Sequence, residues 1–362
     1  MQSHKRPVVY WYNGTYTPGF GRQADLPAAL STLRSTAVVC RGADRDRFGW
    51  NVTVRSAEGE ILLFERHFPR YFGGIERRWP AIAAAIEWCA VAPKLYKYGF
   101  RRAVLIGTTE VSSLYSLSPF RPRIFDLLDP DLNGDEKKYF GWLRKTTRRV
   151  DAFIVTAAAL AEDVAHFGKS VTIVPNACHG SFLAGHSRNA ERNRIAAYLG
   201  TVDQRVDLDL LAAVVELLPD VRFEIGGRVN HEYSTPITEI AKHDNVTILG
   251  PLDAEDGRRL LERASVGIIP FATGWVGDRI NPVKSYEYQA AGLPVVASDI
   301  AECRELPLVD VGRDAKSFAA AICRALEERP APWAPAMEFA QRNRWDDRAA
   351  LIDASLSAFD EA

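Results

Sequence analysis

The chain alternates short apolar runs with amphipathic segments, and it does so in two successive series. In the first series, Pro7–Tyr12, Thr36–Cys40, Ala103–Ile106, Arg123–Leu128, Ala152–Thr156 and Val171–Val174 have strand length and little polar interruption. Such runs suit strands covered on both faces. Leu26–Arg34, Lys137–Arg149 and Leu160–Phe167 read as helices between them. Asn51–Val54 and Ile61–Glu65 flank Glu58-Gly59-Glu60 and predict a hairpin insertion. After the polar stretch Gly180–Asn193 the second series begins, with strands at Arg194–Leu199, Arg222–Ile225, Val246–Leu249, Val266–Pro270 and Leu293–Ala297. Its helices are Leu208–Leu218 and Asp256–Ala264, with further helix over 314–328 and 332–359. This alternation predicts an α/β protein with a parallel sheet in each half. A length of 362 residues fits two cores better than one.

A net charge of −1 conceals an asymmetry. Residues 1–175 carry 25 Lys and Arg against 17 Asp and Glu, and the rest of the chain carries 20 against 29. The halves therefore stand at +8 and −9, which suggests different partners for each. No nucleic-acid-binding module accompanies the basic half. The five cysteines are scattered without metal spacing and read as reduced cytosolic thiols. No signal peptide or membrane-spanning run is expected.

Asn281–Ser298, NPVKSYEYQAAGLPVVAS, holds the strongest local signal. Asn281 reads as an N-cap, Pro282 as the first helical residue, and Gly292 as the C′ position before a buried strand. Lys284 then falls in the first turn, where the helix dipole disfavours a cation. An anion bound there would resolve the conflict. Glu287 lies on the same face, roughly 4.5 Å further along the axis. A phosphate at Lys284 and sugar hydroxyls at Glu287 describe a nucleotide lying along the helix; a plain surface ion pair is the alternative.

Other candidates cluster at strand ends, where open α/β sheets bind ligands. Gly14, Gly19 and Gly21 follow the first strand, without Walker or G-x-G-x-x-G spacing. Asp126, Asp129 and Asp131 lie where a strand meets its loop, and a carboxylate there suits a general base. Turn and cap chemistry is the alternative for Asp131 and Asp135. Gly226-Gly227-Arg228 and Gly250 end two strands of the second series. Residues 70–102 mix Arg70, Arg77, Arg78, Lys94, Lys97, Arg101 and Arg102 with Tyr71, Phe72, Trp79, Trp88, Tyr96, Tyr98 and Phe100. Such a segment suits an anionic membrane surface, or an ordinary core-facing helix with a charged rim.

Four motifs in order resemble the nucleotide-binding domain of GT-B glycosyltransferases, especially family 4. They are IVPNACHGSF (173–182), YLGTVDQRVDLDLLAAVVELLPDVRFEIGGR (198–228), NVTILGPLDAEDGRRLLERASVGIIPF (245–271) and NPVKSYEYQAAGLPVVAS. RWDDRAALI resembles the family's last helix. The resemblance implies a GT-B fold of two Rossmann-like domains with a cleft between them. The N-terminal acceptor domain would be 1–176, with the helix of about 343–362 crossing back to it. Residues 177–342 would be the nucleotide-sugar donor domain. It also implies that Glu287 binds the donor ribose, that Lys284 and its neighbours Asn281, Pro282 and Ser285 hold the diphosphate, and that Gly250 to Leu252 border the base.

The chain departs from the family at two points. A Glu often found eight residues before the ribose-binding Glu is Arg279 here, beside Asp278. The family Arg after the first strand is Thr201, and the nearby Lys is replaced by Arg205 or shifted. The phosphate clamp is then rebuilt from Lys284, Arg279 and Arg228, with Gly227 beside them, as in bacterial exopolysaccharide and teichuronic-acid-type transferases. The implied activity is transfer of a sugar from a nucleoside diphosphate sugar, UDP first, to a glycan or lipid-linked acceptor. No cofactor or metal is expected; Asp129-Pro130-Asp131 matches Asp-x-Asp by letter but in the other half. If the reaction inverts, Asp129 or Asp126 is the expected base. Peripheral contact with the inner membrane face through 70–102 would fit a lipid-linked acceptor. The alternatives are a nucleotide-sugar 2-epimerase, with His179 and His231 available, and a non-catalytic sugar-nucleotide-binding protein.

Overall fold

The computed structural model describes residues 5–18, 21–42, 51–57, 61–68, 72–108, 112–130, 135–183, 194–328 and 333–360. The chain forms two compact units, one of Met1–Leu128, Asp135–Pro175 and Trp345–Ala362, the other of Asp129–Gly134 and Asn176–Arg344.

The first unit holds strands β1 (Val8–Thr15), β2 (Thr36–Arg41), β3 (Asn51–Ser56), β4 (Leu62–His67), β5 (Val104–Gly107), β6 (Arg123–Leu127), β7 (Ala152–Val155) and β8 (Ser170–Ile173). Its helices are α1 (Arg22–Ser31), α2 (Phe72–Arg78), α3 (Pro80–Lys97), α4 (Ser112–Leu117), α5 (Glu136–Thr147) and α6 (Ala158–Ala165). The sheet order is β3-β4-β2-β1-β5-β6-β7-β8. All pairs are parallel except β3–β4, so the expected hairpin forms the edge beyond β2. Its tip, residues 58–60, lies outside the described residues. Val8–Trp11 are wholly buried because helices cover both faces of the central strands.

The second unit holds β9 (Ile195–Leu199), β10 (Arg222–Gly226), β11 (Val246–Gly250), β12 (Val266–Ile269), β13 (Val295–Ser298) and β14 (Val309–Gly312). Its helices are α7 (Leu208–Leu217), α8 (Ser234–Ile240), α9 (Ala254–Arg263), α10 (Val283–Ala290), α11 (Ala301–Glu305), α12 (Ala315–Glu328) and α13 (Ala334–Gln341). The strand order is β11-β10-β9-β12-β13-β14, all parallel. In both sheets the order reverses beside the first strand, at β1/β5 and at β9/β12. Each reversal opens a crevice at the strands' carboxyl ends, the place where open α/β sheets take ligands.

Three boundaries differ from the sequence reading. β1 runs on to Thr15, and α1 starts at Arg22 rather than Leu26. Gly21 adopts φ 84° at the helix entrance, and its N–H donates to Asp25 Oδ2 (3.0 Å), which sets the first turn early despite Pro27. The helix expected over 332–359 is broken into α13 and α14 (Trp345–Asp360). The break frees backbone for another purpose: Cys178 N–H donates to the Asn343 carbonyl (3.1 Å), and Arg344 bridges to Cys178. α14 groups with the first unit, where Asp353 and Asp360 receive Arg34. Among the described residues no helix is long and apolar enough to cross a membrane.

Asp126, at the end of β6, is fully buried. Its carboxylate accepts from Arg22 Nε (3.0 Å), Arg22 Nη2 (2.8 Å) and the Tyr10 hydroxyl (2.8 Å). Arg22 Nη1 also donates to the Val174 carbonyl (2.8 Å), so one guanidinium ties α1 to β6 and to the end of the unit. Removing one partner leaves a buried charge unmatched. Asp126→Ala is therefore expected to lower the unfolding free energy by about 3–5 kcal/mol, read from a denaturant melt; a change below about 1 kcal/mol would refute the assignment.

Candidate active site

The second unit's switch point is built from loops at the carboxyl ends of four strands. Gly200 N–H donates to the Gly226 carbonyl (2.8 Å) and Gly227 N–H to the Gly250 carbonyl (2.7 Å). Val202 N–H reaches the Arg228 carbonyl (2.8 Å), and Ala272 N–H reaches the Arg205 carbonyl (2.7 Å). The loop after β9 is thereby fixed between the loops after β10 and β12. Glycine is required at two of these positions. Gly227 (φ 137°) passes so close that a Cβ would overlap the Gly200 carbonyl. At Gly200 (φ 153°) a Cβ would lie 2.6 Å from Lys284 Nζ.

α10 delivers Lys284 into this crevice. The helix ends in a Schellman motif: Gly292, at φ 68°, donates to the Gln289 carbonyl (2.9 Å) and Leu293 to the Tyr288 carbonyl (2.9 Å). The Tyr288 ring occupies the space a Gly267 side chain would need, and its hydroxyl accepts from Leu199 N–H (2.8 Å). The expected N-cap is corrected. Pro282 holds that position, and no side chain caps the helix. Asn281 instead accepts from Asn176 N–H (2.9 Å) through its side-chain oxygen and donates through Nδ2 to Glu302 (2.7 Å). Asparagine caps only when its side chain folds back on its own helix; here it is drawn to the entering chain and to α11. Ser285 is buried with its hydroxyl on the Pro282 carbonyl (2.7 Å), so it supports the turn from inside.

Lys284 is buried, with Nζ 5.3 Å from the Tyr198 ring centroid and 5.2 Å from that of Phe271. Among the described residues it makes no ion pair or hydrogen bond. Burial lowers its pKa to about 8, and Arg205 pushes in the same direction; Glu287, Asp203 and Asp129 pull it back. Arg205 is the cation beside it. Asp203 holds the Arg205 guanidinium through Nε (3.0 Å) and Nη2 (2.6 Å) and also accepts its backbone N–H (3.0 Å). Burial would raise the Asp203 pKa, but the Arg205 hydrogen bonds and charge outweigh it, and the carboxyl sits below its ordinary range.

The remaining sequence candidates divide. Glu287 is half-buried one turn beyond Lys284. Gly250 is half-buried after β11, and Leu252 packs over Gly226. Arg228 lends its carbonyl to the Gly200 loop while its side chain is exposed. Arg279 folds back on Trp275, 4.5 Å from the ring centroid and 3.0 Å from the carbonyl. Asp278 is occupied by Ala301 N–H (2.9 Å) and Arg304. Asp129 groups with the second unit and lies within electrostatic reach of Arg205 and Lys284, while Asp126 is sealed in the first unit. Gly14 lies at the end of β1 and Gly21 caps α1; Gly19 and Asp131 lie outside the described residues. Asp135 caps α5 by accepting from Lys138 N–H (2.9 Å). Asp203 is the addition: it holds Arg205, which the sequence offered only as a replacement for the family's Lys. Their i, i+2 spacing in a loop was the available signal. Among the described residues no three His, Cys, Asp or Glu side chains are grouped to hold a metal ion.

Residues 193–328 match the family model for glycosyl transferases group 1. The Bacillus subtilis protein TuaH, named as a teichuronic acid biosynthesis glycosyltransferase, is 24% identical over 106 residues. That stretch is 29% of this chain and 27% of TuaH, so the chain matches about a quarter of that relative's length. Among solved structures, sucrose-phosphate synthase from Thermosynechococcus elongatus superimposes with TM-score 0.73 at 16% identity, covering 99% of this chain and 100% of the other. Trehalose-6-phosphate synthase from E. coli bound with UDP-2-fluoro glucose gives 0.69 at 14%, covering 97% and 98%. Anabaena HepE in complex with UDP and glucose gives 0.67 at 13%, covering 98% and 100%. The fold is GT-B.

The buried ammonium has a thermodynamic consequence. Unfolded, a lysine titrates near 10.5; folded, Lys284 titrates near 8. Between those values the folded state binds fewer protons, so this residue's contribution makes stability rise with pH from about 8 to 10.5; below 8 the full penalty persists. Lys284→Met is expected to raise the melting temperature of the ligand-free protein at pH 7 by removing that penalty. A lower melting temperature in differential scanning fluorimetry would contradict the account.

Proposed function

We propose that this chain transfers a sugar from a nucleoside diphosphate sugar, UDP-linked first, to a hydroxyl of a glycan or lipid-linked acceptor in bacterial surface polysaccharide or glycoconjugate synthesis. One observation carries the reading: an ammonium without an ion pair among the described residues, buried at a sheet's switch point beside a second, pre-oriented cation. A diphosphate supplies the missing negative charge. It would lie over the Gly200 loop against Lys284 and Arg205, at the N-terminal turn of α10. Glu287, one turn along, would take ribose hydroxyls, and the backbone from Gly250 to Leu252 would border the base. As the glycosidic bond breaks, charge develops on the departing diphosphate, and these fixed cations stabilise it there. In this scheme the two side chains do the electrostatic work a divalent ion would otherwise do. If the configuration inverts, Asp129 is the base we favour over Asp126, because Asp126 is fully engaged by Arg22 and Tyr10. UDP as the first donor rests on the UDP ligands named for two structural neighbours. The reading places the first unit with the acceptor and the second with the donor.

A thermal-shift screen of UDP, GDP, ADP and TDP at pH 7 tests it. UDP is expected to raise the melting temperature, and Lys284→Ala to abolish the rise. Because a dianion favours the protonated amine, UDP affinity should fall as pH climbs past about 8. No shift with any nucleotide, or an undiminished shift in Lys284→Ala, would overturn the proposal.

A peripheral membrane position at the cytoplasmic face is part of the same proposal. Phe72, Trp88 and Phe100 of the basic, aromatic segment are core residues, but Arg77, Arg78, Trp79, Ile82, Tyr98, Arg101 and Arg102 are exposed. Exposed indole and isoleucine beside arginines suit anionic lipid. The protein should float with phosphatidylglycerol vesicles and not with phosphatidylcholine vesicles, and Trp79→Ala/Ile82→Ala should abolish flotation. Equal behaviour with both lipids would count against it.

A further inference from the structure

The split between β9 and β12, where the second sheet reverses its order, is bridged by a side chain of α10. β9 stays in register with β10 to its last residue, Leu199 opposite Gly226. With β12 the register stops sooner, at Ala197 opposite Gly267. Successive N–H groups of a strand face alternate neighbours. Gly200 N–H continues the ladder toward β10, donating to the Gly226 carbonyl (2.8 Å), so Leu199 N–H faces the side that β12 has left. A backbone donor there needs a partner. The Tyr288 hydroxyl supplies it, accepting from Leu199 N–H at 2.8 Å.

Gly267 makes that reach possible. Tyr288 is fully buried, and its ring lies where a Gly267 side chain would stand. Phenylalanine would fill the same space, but only the hydroxyl extends to the strand end. Tyr288 is also one turn along α10 from Lys284, so the two project from one face of the helix. Lys284 passes so near Gly200 that a Cβ there would lie 2.6 Å from Nζ. One helix face thus holds Leu199 through a hydroxyl and sets an ammonium against the next residue. The facing lip is fixed in the same manner. Ser298, buried at the end of β13, donates to the carbonyl of Phe271, whose ring centroid lies 5.2 Å from Lys284 Nζ.

We infer that Tyr288 is a positioning residue: its hydroxyl holds the Gly200 loop at the separation from Lys284 that lets the crevice grip a diphosphate. Without that hydroxyl the last residue of β9 is secured on its β10 side alone. An anion spanning Lys284 and the loop must then order the loop as it binds, and it binds more weakly. That the anion belongs to a nucleotide rests on the transfer reading above; the bridge across the split rests on the geometry alone.

The test compares Tyr288→Phe with the unmodified full chain. Both are titrated calorimetrically with inorganic pyrophosphate, UDP and uridine, and both are followed by hydrogen exchange with mass spectrometry. The variant keeps the ring over Gly267 and should fold. Pyrophosphate and UDP should each bind about tenfold more weakly, and uridine, which has no phosphate, as before. Backbone exchange at residues 199–201 should quicken while that of β10 stays unchanged. Unchanged pyrophosphate binding, or unchanged exchange at 199–201, overturns the inference. Equal weakening of uridine would mark a general loss of structure and overturn it too, as would a variant that does not fold. If the unmodified protein binds pyrophosphate but not UDP, the nucleotide-sugar reading falls and pyrophosphate still judges Tyr288. If it binds neither, both fall.

Discussion

An ammonium group enclosed by two aromatic rings and a glycine, with no carboxylate bonded to it among the described residues, sets the terms for the second unit. Lys284 can be there only because Gly200 leaves room for its terminal atoms and Gly227 leaves room for the Gly200 carbonyl. It stays there because α10 is held at its far end by the Gly292 turn and along its length by Tyr288. A protein gains no stability from such a group. Its place in a crevice opened by the sheet's own topology is what the proposed function accounts for with an anionic ligand.

The two sheets repeat one arrangement with different chemistry. Each reverses its strand order beside its first strand, and each puts polar side chains at the opening. In the second unit they are Lys284 and Arg205; in the first they are Glu76 and Glu87, which pair with Arg41 and Arg66. Net charge points the other way, since the first half of the sequence is basic and the second acidic. Among the described residues of 70–102, Arg77, Arg78 and Lys97 are exposed on α2 and α3, and Arg101 and Arg102 are exposed beyond them. Bulk charge thus describes surfaces, while the sites depend on which few side chains the strand ends present.

Much of this was legible in the sequence. Apolar runs of strand length placed the described strands, apart from β14, and the Gly292–Pro294 ending of α10 needed no tertiary information. Lys284 stood out because a cation at a helix start conflicts with the helix dipole. What escaped was decided by contacts far along the chain. Asn281 had the composition of a cap, but Asn176 and Glu302 claim its side chain. The clamp was expected from Lys284, Arg279 and Arg228; in the fold Arg279 stacks on Trp275 and Arg228 is exposed, while Arg205 is positioned by a carboxylate two residues away. Asp126 read as a reactive acid at a strand end, and only the fold brings Arg22 to neutralise it.

The Asp203–Arg205 pairing reaches beyond charge. A mobile arginine gives up rotamer freedom when it grips a ligand. Here that freedom is surrendered during folding, and the loop carrying it is stitched to both neighbouring strands' ends. The mouth of the second unit is therefore shaped before anything enters it, and under the proposed function it would select by refusing shapes that do not fit rather than by wrapping around those that do.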